Sequence, residues 1–335
     1  MHDVAKLAGV SIKTVSNVIN DYQYLKPETR QKVLDAIERL GYRPNLSARG
    51  LRSGRTGVIS LIIPTITNAY FSELADEVMR AADAKGLSVI IEQSNGDRAR
   101  EMSLLTGPRT SMIDGILYSV LGLKEEDAHL LTNIDTPIVL LGDRIFNGPT
   151  DHVAMQNSAS TRAATAYLLS LGRKRVVAFG AHSGEVIGSA GLRLDGYREA
   201  LAEARVAFDP SLVVEVYEWF RSDGAKAMHA LLDSGVAFDG IVAFNDLIGL
   251  GAMRVMQEAG IRIPEDVAVV GFDDIDETRY SLPSLTTINP GKDEIARVAV
   301  QFLQERIAQG AHAIAPREYL AAFSLVERES TAVAS

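Results

Sequence analysis

The sequence predicts an α/β protein in which a small all-α unit precedes a larger body of parallel sheets. Three observations predict it: short helical patterns fill residues 1–44, apolar runs alternate with helical patterns from Gly57 onward, and that alternation restarts after Ser158. Short buried strands that alternate with helices are typical of parallel sheets covered on both faces. The restart indicates two similar lobes, so we expect a head and a two-lobed body within 335 residues.

The head contains three helical patterns joined by short turns. The first spans Asp3–Ala8 and ends at Gly9, a residue that breaks helical periodicity. Ser11 is a good N-cap for a second helix. A third helix begins at Pro27, which suits a first helical position, and ends at Gly41, a typical C-terminal stop. Two helices joined by a tight turn that contains glycine, with a third in support, form a helix-turn-helix unit over residues 1–44.

The second helix lies within the stretch VSIKTVSNVIN and separates apolar from polar side chains. Its apolar stripe is formed by Val10, Val15, Val18 and Ile19. Its polar side is formed by Ser11, Lys13, Thr14, Ser16, Asn17 and Asn20. That side has one positive charge, no acid and many short hydrogen-bonding groups. In an isolated amphipathic helix such a face most often meets water.

Residues 45–56 read as a linker that contains a conditional helix. Leu46 to Arg52 could form about two turns, which is too short to be stable alone in water. Gly50 weakens such a helix by roughly 1 kcal/mol relative to alanine. The arginines at 49, 52 and 55 make this segment strongly cationic.

The net charge of −9 is unevenly distributed. Residues 1–55 hold ten Lys/Arg and five Asp/Glu, whereas the rest of the chain holds 24 and 38. A basic head on an acidic body indicates that only the head meets a polyanion. Charge alone is equally compatible with a solvated head that has no partner.

Composition and motif searches exclude several classes. The absence of cysteine excludes disulfides, thiolate catalysis and cysteine-ligated metals. No run of about eighteen apolar residues and no basic-then-apolar leader is present, so we expect a cytoplasmic protein. No zincin, nucleophile-elbow or phosphate-loop motif occurs, and the six histidines lack metal-ligand spacing. We therefore expect no enzyme, no catalytic residue, no metal and no cofactor.

Four apolar runs of strand length follow the linker, and four more follow the restart. They are GVISLII, LSVIIEQ, DGILYSV and TPIVLLGD in the first lobe, and RVVAFG, LVVEVY, GIVAFND and VAVVGFDD in the second. Helical patterns separate these runs, as crossovers between parallel strands require. Gly107-Pro108 interrupts the pattern that follows Glu101, so we expect a short or kinked helix there.

Several of these stretches closely resemble the LacI/GalR family of transcription regulators. The head stretches DVAKLAGVSIKTVSNVIN, TRQKVLDAIERLGYRPN and ARGL resemble that family's DNA-binding headpiece. The body stretches IIPTITNAYFSELADEV, GLRLDGY, FNDLIGLGAM and VAVVGFDDIDETRYSLPSLTTI resemble its periplasmic-binding-protein-like core of type I. The resemblance covers essentially the whole chain in order. It implies a first lobe at about 57–157 plus 287–318, and a second lobe at about 158–286 plus 319–330.

The resemblance implies a homodimer that binds a pseudo-palindromic operator in double-stranded DNA and acts most often as a repressor. The positions that correspond to the base-reading residues of the family are Ile12, Lys13 and Asn17. Ser11, Thr14, Ser16 and Asn20 are placed for phosphate oxygens, which carry no sequence information. The hinge helix places Ala48, Arg49, Leu51 and Arg52 at the minor groove, with Leu51 as the apolar wedge. The plainer alternative is that Leu51 packs on its own domain.

In the body, the resemblance implies a small effector in the cleft between the lobes. The positions that correspond to ligand-binding residues, or that border this cleft, are Asn68, Tyr70, Phe71, Arg193, Trp219, Asn245 and Asp273. Asp273 follows an apolar strand, and ligands in open α/β sheets lie beyond the carboxyl ends of strands. Carboxylate, amide and guanidinium groups together suit a polyhydroxylated ligand, so we expect a sugar. A purine or a phosphorylated metabolite stays open as an alternative effector, because some members of the family bind such ligands.

Simpler explanations apply to two of these residues, and two other classes of protein share parts of the pattern. Trp219 could be ordinary core packing, and Asp273 could cap a loop. A ligand-binding receptor without a DNA role, or a sugar-metabolising enzyme, would use a similar body, but neither explains the basic head.

The chain departs from the family at two places. It lacks the few residues that usually precede DVA, so its start is a candidate for truncation. Lys26 replaces a common serine N-cap, so we expect the third helix to fray slightly at its beginning.

Overall fold

The computed structural model describes residues 1–19, 22, 24–42 and 55–332. The chain divides into two compact units, Met1–Gly57 and Val58–Ser335. The first unit is all-α in its described part, and the second holds two sheets with helices packed on them. The expected α/β class, with helices at the N-terminus, is therefore confirmed.

The described part of the first unit contains three helices: α1 (His2–Ala8), α2 (Ile12–Ile19) and α3 (Pro27–Arg39). Gly9 ends α1 in the left-handed conformation, at φ 64°, and lets Val10 donate its N–H to the carbonyl of Ala5. The buried core of this unit is formed by Val4, Ala5, Val15, Val18, Val33 and Ala36. Leu34 and Leu40 have the helical spacing of core residues, yet they are 44% and 45% exposed.

The first lobe of the body is built on a six-stranded sheet in the order β11-β5-β4-β3-β1-β2. Every pair of neighbouring strands in it is parallel. Its strands are β1 (Val58–Ile63), β2 (Ser88–Gln93), β3 (Gly115–Ser119), β4 (Ile138–Leu141), β5 (Asp151–Ala154) and β11 (Glu318–Leu320). Its helices are α4 (Ala69–Asp83), α5 (Arg98–Thr106), α6 (Ala128–Leu131) and α11 (Lys292–Gln309). The inner strands β1, β3 and β4 are almost fully buried, as helices on both faces require.

The second lobe repeats this plan in the order β12-β10-β9-β8-β6-β7. Its strands are β6 (Val176–Ala181), β7 (Val213–Glu215), β8 (Gly240–Ala243), β9 (Ala268–Phe272), β10 (Thr286–Asn289) and β12 (Ser324–Val326). Its helices are α7 (Asn157–Ser170), α8 (Ser189–Glu203), α9 (Arg221–Asp233) and α10 (Asp246–Glu258). Only the edge pair β10–β12 is antiparallel among the pairs of this sheet that the described residues form.

The chain passes between the lobes three times, after β5, after β10 and after β11. Strand β10 pairs with β9, so the second lobe extends to Asn289 rather than to residue 286. Strand β11 pairs with β5, so the first lobe extends to Leu320 rather than to residue 318. The lobe limits thus differ from the expected ones by two or three residues, because short strands at the crossings choose their sheet by pairing.

The interrupted helix after Glu101 is short, as expected. Helix α5 ends at Thr106, and a separate 3-10 turn occupies Pro108–Met112. Pro108 has no N–H to donate to an earlier carbonyl, so the α-helix cannot continue through it. Within the described residues, no helix combines the length and the apolar character that a membrane span requires.

Candidate functional sites

Helix α2 presents its polar face because its apolar stripe anchors it to the core of the first unit. Val15 and Val18 are buried, and the hydroxyl of Ser11 accepts the N–H of Thr14 at 3.1 Å. Ser11 therefore caps the helix as expected. The hydroxyls of Ser11 and Thr14 also lie 2.9 Å apart.

The polar face holds five of the eleven residues that we expected to meet DNA. Lys13 is exposed, and Asn17 is half-buried on the same helix. Ile12 is half-buried and packs against the core of the first unit, so only part of its side chain is available for contact with a base. Ser11 is exposed, whereas Thr14 and Ser16 are half-buried. The remaining expected DNA contacts, Asn20, Ala48, Arg49, Leu51 and Arg52, lie outside the described residues.

The start of α3 lacks the side-chain cap that a serine would provide. Lys26 precedes the helix in an extended conformation and makes no side-chain capping hydrogen bond. Pro27 occupies the first turn, where an N–H would lack an intrahelical partner in any case.

A cavity of about 360 Å³ lies between the two lobes of the body. Its lining includes all seven residues that we expected at the effector site: Asn68, Tyr70, Phe71, Arg193, Trp219, Asn245 and Asp273. Asn68, Tyr70 and Phe71 come from the first lobe, at the start of α4, and the other four come from the second lobe. The fold thus brings together side chains that lie up to about two hundred residues apart in the sequence.

Two buried aspartates line this cavity, one from each lobe. Asp273 follows β9 directly, and Asp143 lies two residues beyond the end of β4. Both are buried, so removal from water raises both pKa values, that of Asp273 to about 7. Asp143 accepts hydrogen bonds from the Asn157 amide, at 2.5 Å, and from the hydroxyl of Ser189.

Arg193 is the buried cation of the site. Its guanidinium lies 3.5 Å from the ring centre of Phe272 and 5.1 Å from that of Trp219. It donates to the Asn157 amide oxygen at 2.7 Å and lies 4.0 Å from the carboxylate of Asp273. Burial lowers the pKa of this guanidinium, although the neighbouring carboxylates oppose the shift. These partners hold the side chain in one orientation, with its remaining donors close to Asp273.

Three expected ligand-binding residues also stabilise the backbone of the fold. Asn68 accepts the N–H of Tyr70 at 3.1 Å and caps α4. Asn245 accepts the N–H of Ile248 at 2.9 Å, caps α10, and donates to the carbonyl of Trp219 at 3.2 Å. The indole N–H of Trp219 donates to the carbonyl of Gly180 at 3.1 Å. The indole therefore offers the cavity a ring rather than a hydrogen-bond donor.

Several residues of the cavity were not predicted from the sequence. Asp143 is the clearest, and the signal was available: it follows the apolar run IVLL, just as Asp273 follows β9. His182, Glu185 and Tyr217 also line the cavity. They lie in the loops after β6 and β7, where no helical or strand periodicity marks which side chains point inward.

The cavity lacks the features of a metal site. Among the described residues, no three histidine or acidic side chains converge as metal ligands would. The arrangement instead provides hydrogen-bond acceptors, a fixed cation and aromatic rings, which together bind and orient a small polar molecule.

Two family models match the chain. The model of bacterial regulatory proteins, lacI family, matches residues 1–45, and a periplasmic binding protein-like domain matches residues 165–331. The HTH-type transcriptional regulator RegA of Clostridium saccharobutylicum is 31% identical over 329 residues, covering 98% of each protein. The HTH-type transcriptional repressor PurR of Haemophilus influenzae is 33% identical over 307 residues, covering 91% of this chain and 90% of that protein.

Solved structures agree with these matches. A putative LacI-family regulator from Sanguibacter keddieii is 50% identical, with a TM-score of 0.77 over 83% of this chain and 99% of that chain. The lac repressor dimer bound to operator and the anti-inducer ONPF is 26% identical, with a TM-score of 0.85 over 99% and 98%. The complex of the regulator CelR with cellobiose is 29% identical, with a TM-score of 0.72 over 98% of both chains.

Proposed function

The chain belongs to the LacI family of bacterial transcription regulators, and from that premise we propose that it is a repressor controlled by a sugar. Like its relatives, it is a DNA-binding regulator and not an enzyme. The observation that carries the proposal is the joint lining of one cavity by Asp143, Arg193, Trp219 and Asp273. Carboxylates accept hydrogen bonds from hydroxyl groups, and an indole ring stacks on the apolar face of a pyranose.

The DNA-binding role is assigned to the first unit. In the proposed complex α2 lies in a major groove, where Lys13 and Asn17 read base edges and Ile12 gives apolar contact. Ser11, Thr14, Ser16 and Asn20 bind phosphates, and Leu51 wedges a base step in the minor groove beside Ala48, Arg49 and Arg52. The basic charge of residues 1–55 supports this assignment. A protein that binds operators in this way works in the cytoplasm.

We assign homodimerisation to the outer edge of the first lobe. Strand β2 is the last strand of its sheet, and Ile90 and Ile91 on it are 46% and 40% exposed. Met79, on the adjacent α4, is 44% exposed. An edge strand with exposed apolar side chains favours contact with a second copy of the chain. Sedimentation of the purified protein should therefore give the mass of a dimer.

The DNA-binding role is tested with operators selected by the protein from a random DNA pool. Log affinity should fall linearly with log salt, because several phosphates are contacted. Asn17→Ala should reduce the preference for the selected operator by roughly 1–3 kcal/mol and leave non-specific binding unchanged. Gln31→Ala, at an exposed and uncharged position on α3, is the control. Equal loss of binding to both kinds of DNA would remove Asn17 from base reading.

The effector is tested by melting the protein with sugars, sugar phosphates and purines. A ligand at a hundred times its Kd should stabilise the body by roughly 2.7 kcal/mol. A sugar whose effect disappears in Asp273→Ala, and which changes operator affinity, is the expected result. A purine or a phosphorylated ligand in its place would contradict the sugar assignment while leaving the regulator intact.

A further inference from the structure

Three aromatic rings follow one another along the second-lobe wall of the cavity. The ring centres of Trp219 and His182 are 5.4 Å apart, and those of His182 and Tyr217 are 5.3 Å apart. The rings of His182 and Tyr217 are stacked, with an angle of 13° between their planes. All three rings line the cavity. We call this row the aromatic strip.

The strip leads from the buried polar end of the cavity to its mouth. Trp219 is half-buried and lies beside Arg193, whereas Tyr217 is 57% exposed. The hydrogen-bonding groups Asp273 and Arg193 are buried, so they are at the inner end. A ligand bound only at that end would leave His182 and Tyr217 uncovered.

The polar atoms of the two outer rings already have partners in the protein. The hydroxyl of Tyr217 donates to Glu215 at 2.9 Å. The two ring nitrogens of His182 lie 2.8 Å from the carboxylate of Glu185 and 3.1 Å from the carbonyl oxygen of Val216. These contacts fix both rings. His182 stacks on Tyr217, so the pair offers the cavity the flat exposed face of Tyr217.

We propose that Tyr217, backed by His182, forms a second sugar subsite by stacking, so that the effector is an oligosaccharide of at least two rings. This inference rests on the proposed function, because it extends the sugar of the inner site along the strip. The inner ring is recognised by hydrogen bonds to Asp273 and Arg193, and the outer ring by its apolar face. The cavity volume of about 360 Å³ is within the range of roughly 300–1,000 Å³ for drug-sized ligands.

The experiment compares matched saccharides on the full chain by titration calorimetry. The pairs are glucose with cellobiose and maltose, galactose with lactose, and xylose with xylobiose. We expect one disaccharide to bind at least about tenfold more tightly than its monosaccharide. Tyr217→Ala should weaken that disaccharide roughly three- to tenfold and leave the monosaccharide unchanged, whereas Tyr217→Phe should retain the difference. Tyr280→Ala, at a tyrosine that is 79% exposed and outside the cavity lining, is the control.

The outcomes separate this inference from the proposed function. If a monosaccharide binds as tightly as its disaccharides, the outer subsite is absent, and the sugar-controlled regulator still stands. If Tyr217→Ala weakens both ligands equally, the strip only supports the loop that carries it, and the subsite is again overturned. If no saccharide binds but a purine or a sugar phosphate does, both the inference and the sugar assignment fail.

Discussion

At the scale of single residues, Asp273 combines three unfavourable features. Its backbone has a φ of 117°, which L-residues other than glycine rarely adopt. Its carboxyl group is buried, and the nearest cation, Arg193, is 4.0 Å away. Strained and desolvated residues persist where the surrounding structure holds them, and they cluster at ligand sites. This combination distinguishes Asp273 from the loop-capping carboxylate considered as the alternative, because its hydrogen bonds to other described residues use its backbone rather than its side chain.

The raised pKa of Asp273 predicts a pH-dependent stability of the body. In the unfolded chain this carboxyl ionises near its usual value of about 3.9, whereas in the fold burial raises the pKa to about 7. A raised pKa means that its stabilising contribution is complete below about pH 4 and is lost as pH rises toward 7. Asp273→Asn does not titrate, so it should become more stable relative to wild type as pH rises. The gain is at most about 4 kcal/mol, from about 1.36 kcal/mol per pKa unit.

Thermal melts of both proteins at intervals from pH 5 to pH 8 measure this difference. The gain of Asp273→Asn should level off above about pH 7, where the wild-type carboxyl is already ionised. A difference in Tm that stays constant over the whole interval would show that Asp273 does not titrate there.

At the scale of elements, the three crossings between the lobes are bound to one another. The Gln156 amide, in the first crossing, donates to the carbonyl of Ala321 in the third at 2.9 Å. The N–H of Ala322 donates to Glu294, at the start of α11, at 2.8 Å. Gly291, in the second crossing, has a φ of 77°, and a Cβ there would lie 2.6 Å from the carbonyl oxygen of Ala322. The three crossings thus pack against one another rather than linking the lobes independently.

Gly291→Ala should therefore destabilise the body more than its backbone angle alone requires. Gly260 is the matched control, because its φ is 76° and nothing lies within 4 Å of the position of a Cβ. Gly260→Ala should cost about 1–2 kcal/mol of unfolding free energy, the usual penalty for the left-handed conformation. Gly291→Ala should cost that amount and, in addition, the free energy needed to displace the third crossing. Equal shifts in urea midpoint for the two variants would mean that the crossings separate freely.

Strand β11 is fixed to the first lobe by a buried charge cluster. Asp151, which is fully buried, contacts Arg306 through two hydrogen bonds of 2.7 Å. Arg317, which precedes β11, donates to the same carboxylate at 2.8 Å. Burial raises the pKa of Asp151, but the hydrogen bonds from Arg306 and Arg317 outweigh it, so the net shift is downward.

Asp151→Ala should destabilise the body by about 3–5 kcal/mol, because Arg306 would stay buried without its carboxylate. Arg254→Ala is the control, since its ion pair with Glu258 lies on the surface and is worth less than about 1 kcal/mol. A lowered pKa stabilises the fold above the ordinary value and loses that contribution as pH falls. The difference in unfolding free energy between wild type and Asp151→Ala, measured by chemical unfolding, should therefore become smaller at acid pH. A loss of unfolding free energy as small as that of Arg254→Ala would contradict this role of the buried charge cluster.

The sequence predicted the long elements well and the short ones poorly. The strands of the runs VISLII and AVVGF, and helix α10, were evident because many residues repeat one pattern. Strand β5 was missed because its four residues begin with Asp151 and His152, which are buried only through their partners. Strands β11 and β12 have three residues each, and their place in a sheet follows from pairing, which no local pattern contains.

At the scale of the whole molecule, the resemblance predicted which residues meet in the cavity, whereas their contacts required the fold. The seven expected residues all line it, yet Asn68 and Asn245 use their amide oxygens for capping. The aromatic strip and Asp143 lie in loops, where side-chain direction depends on tertiary packing rather than on periodicity. The contacts that join the lobes were likewise not predictable from the sequence, because they also depend on tertiary packing.

The two lobes of the body are joined beside the cavity by Glu73. This first-lobe residue on α4 accepts the N–H of Asp276, in the second lobe, at 2.8 Å. It also pairs with Lys292 at 2.9 Å, and the Lys292 ammonium donates to the carbonyls of Asp273 and Asp274. Glu73 thus joins α4 to the strand end that carries Asp273. A ligand that touches both Asp143 and Asp273 needs the lobes in this closed arrangement.

Glu73→Ala should therefore weaken effector binding without removing any group that lines the effector cavity. The partly exposed ion pair and the backbone hydrogen bond together stabilise the closed arrangement by about 1 kcal/mol, which corresponds to roughly fivefold in Kd. Because an effector shifts an equilibrium only through its differential affinity, the change in operator affinity should need correspondingly more ligand. Asp76→Ala is the control, since Asp76 pairs with Arg80 on the same helix at 2.6 Å. Titration calorimetry with the saccharide that binds the wild type measures this change in Kd. Equal Kd values for Glu73→Ala and wild type would mean that the lobes close without the Glu73 link, and that the effector alone holds them together.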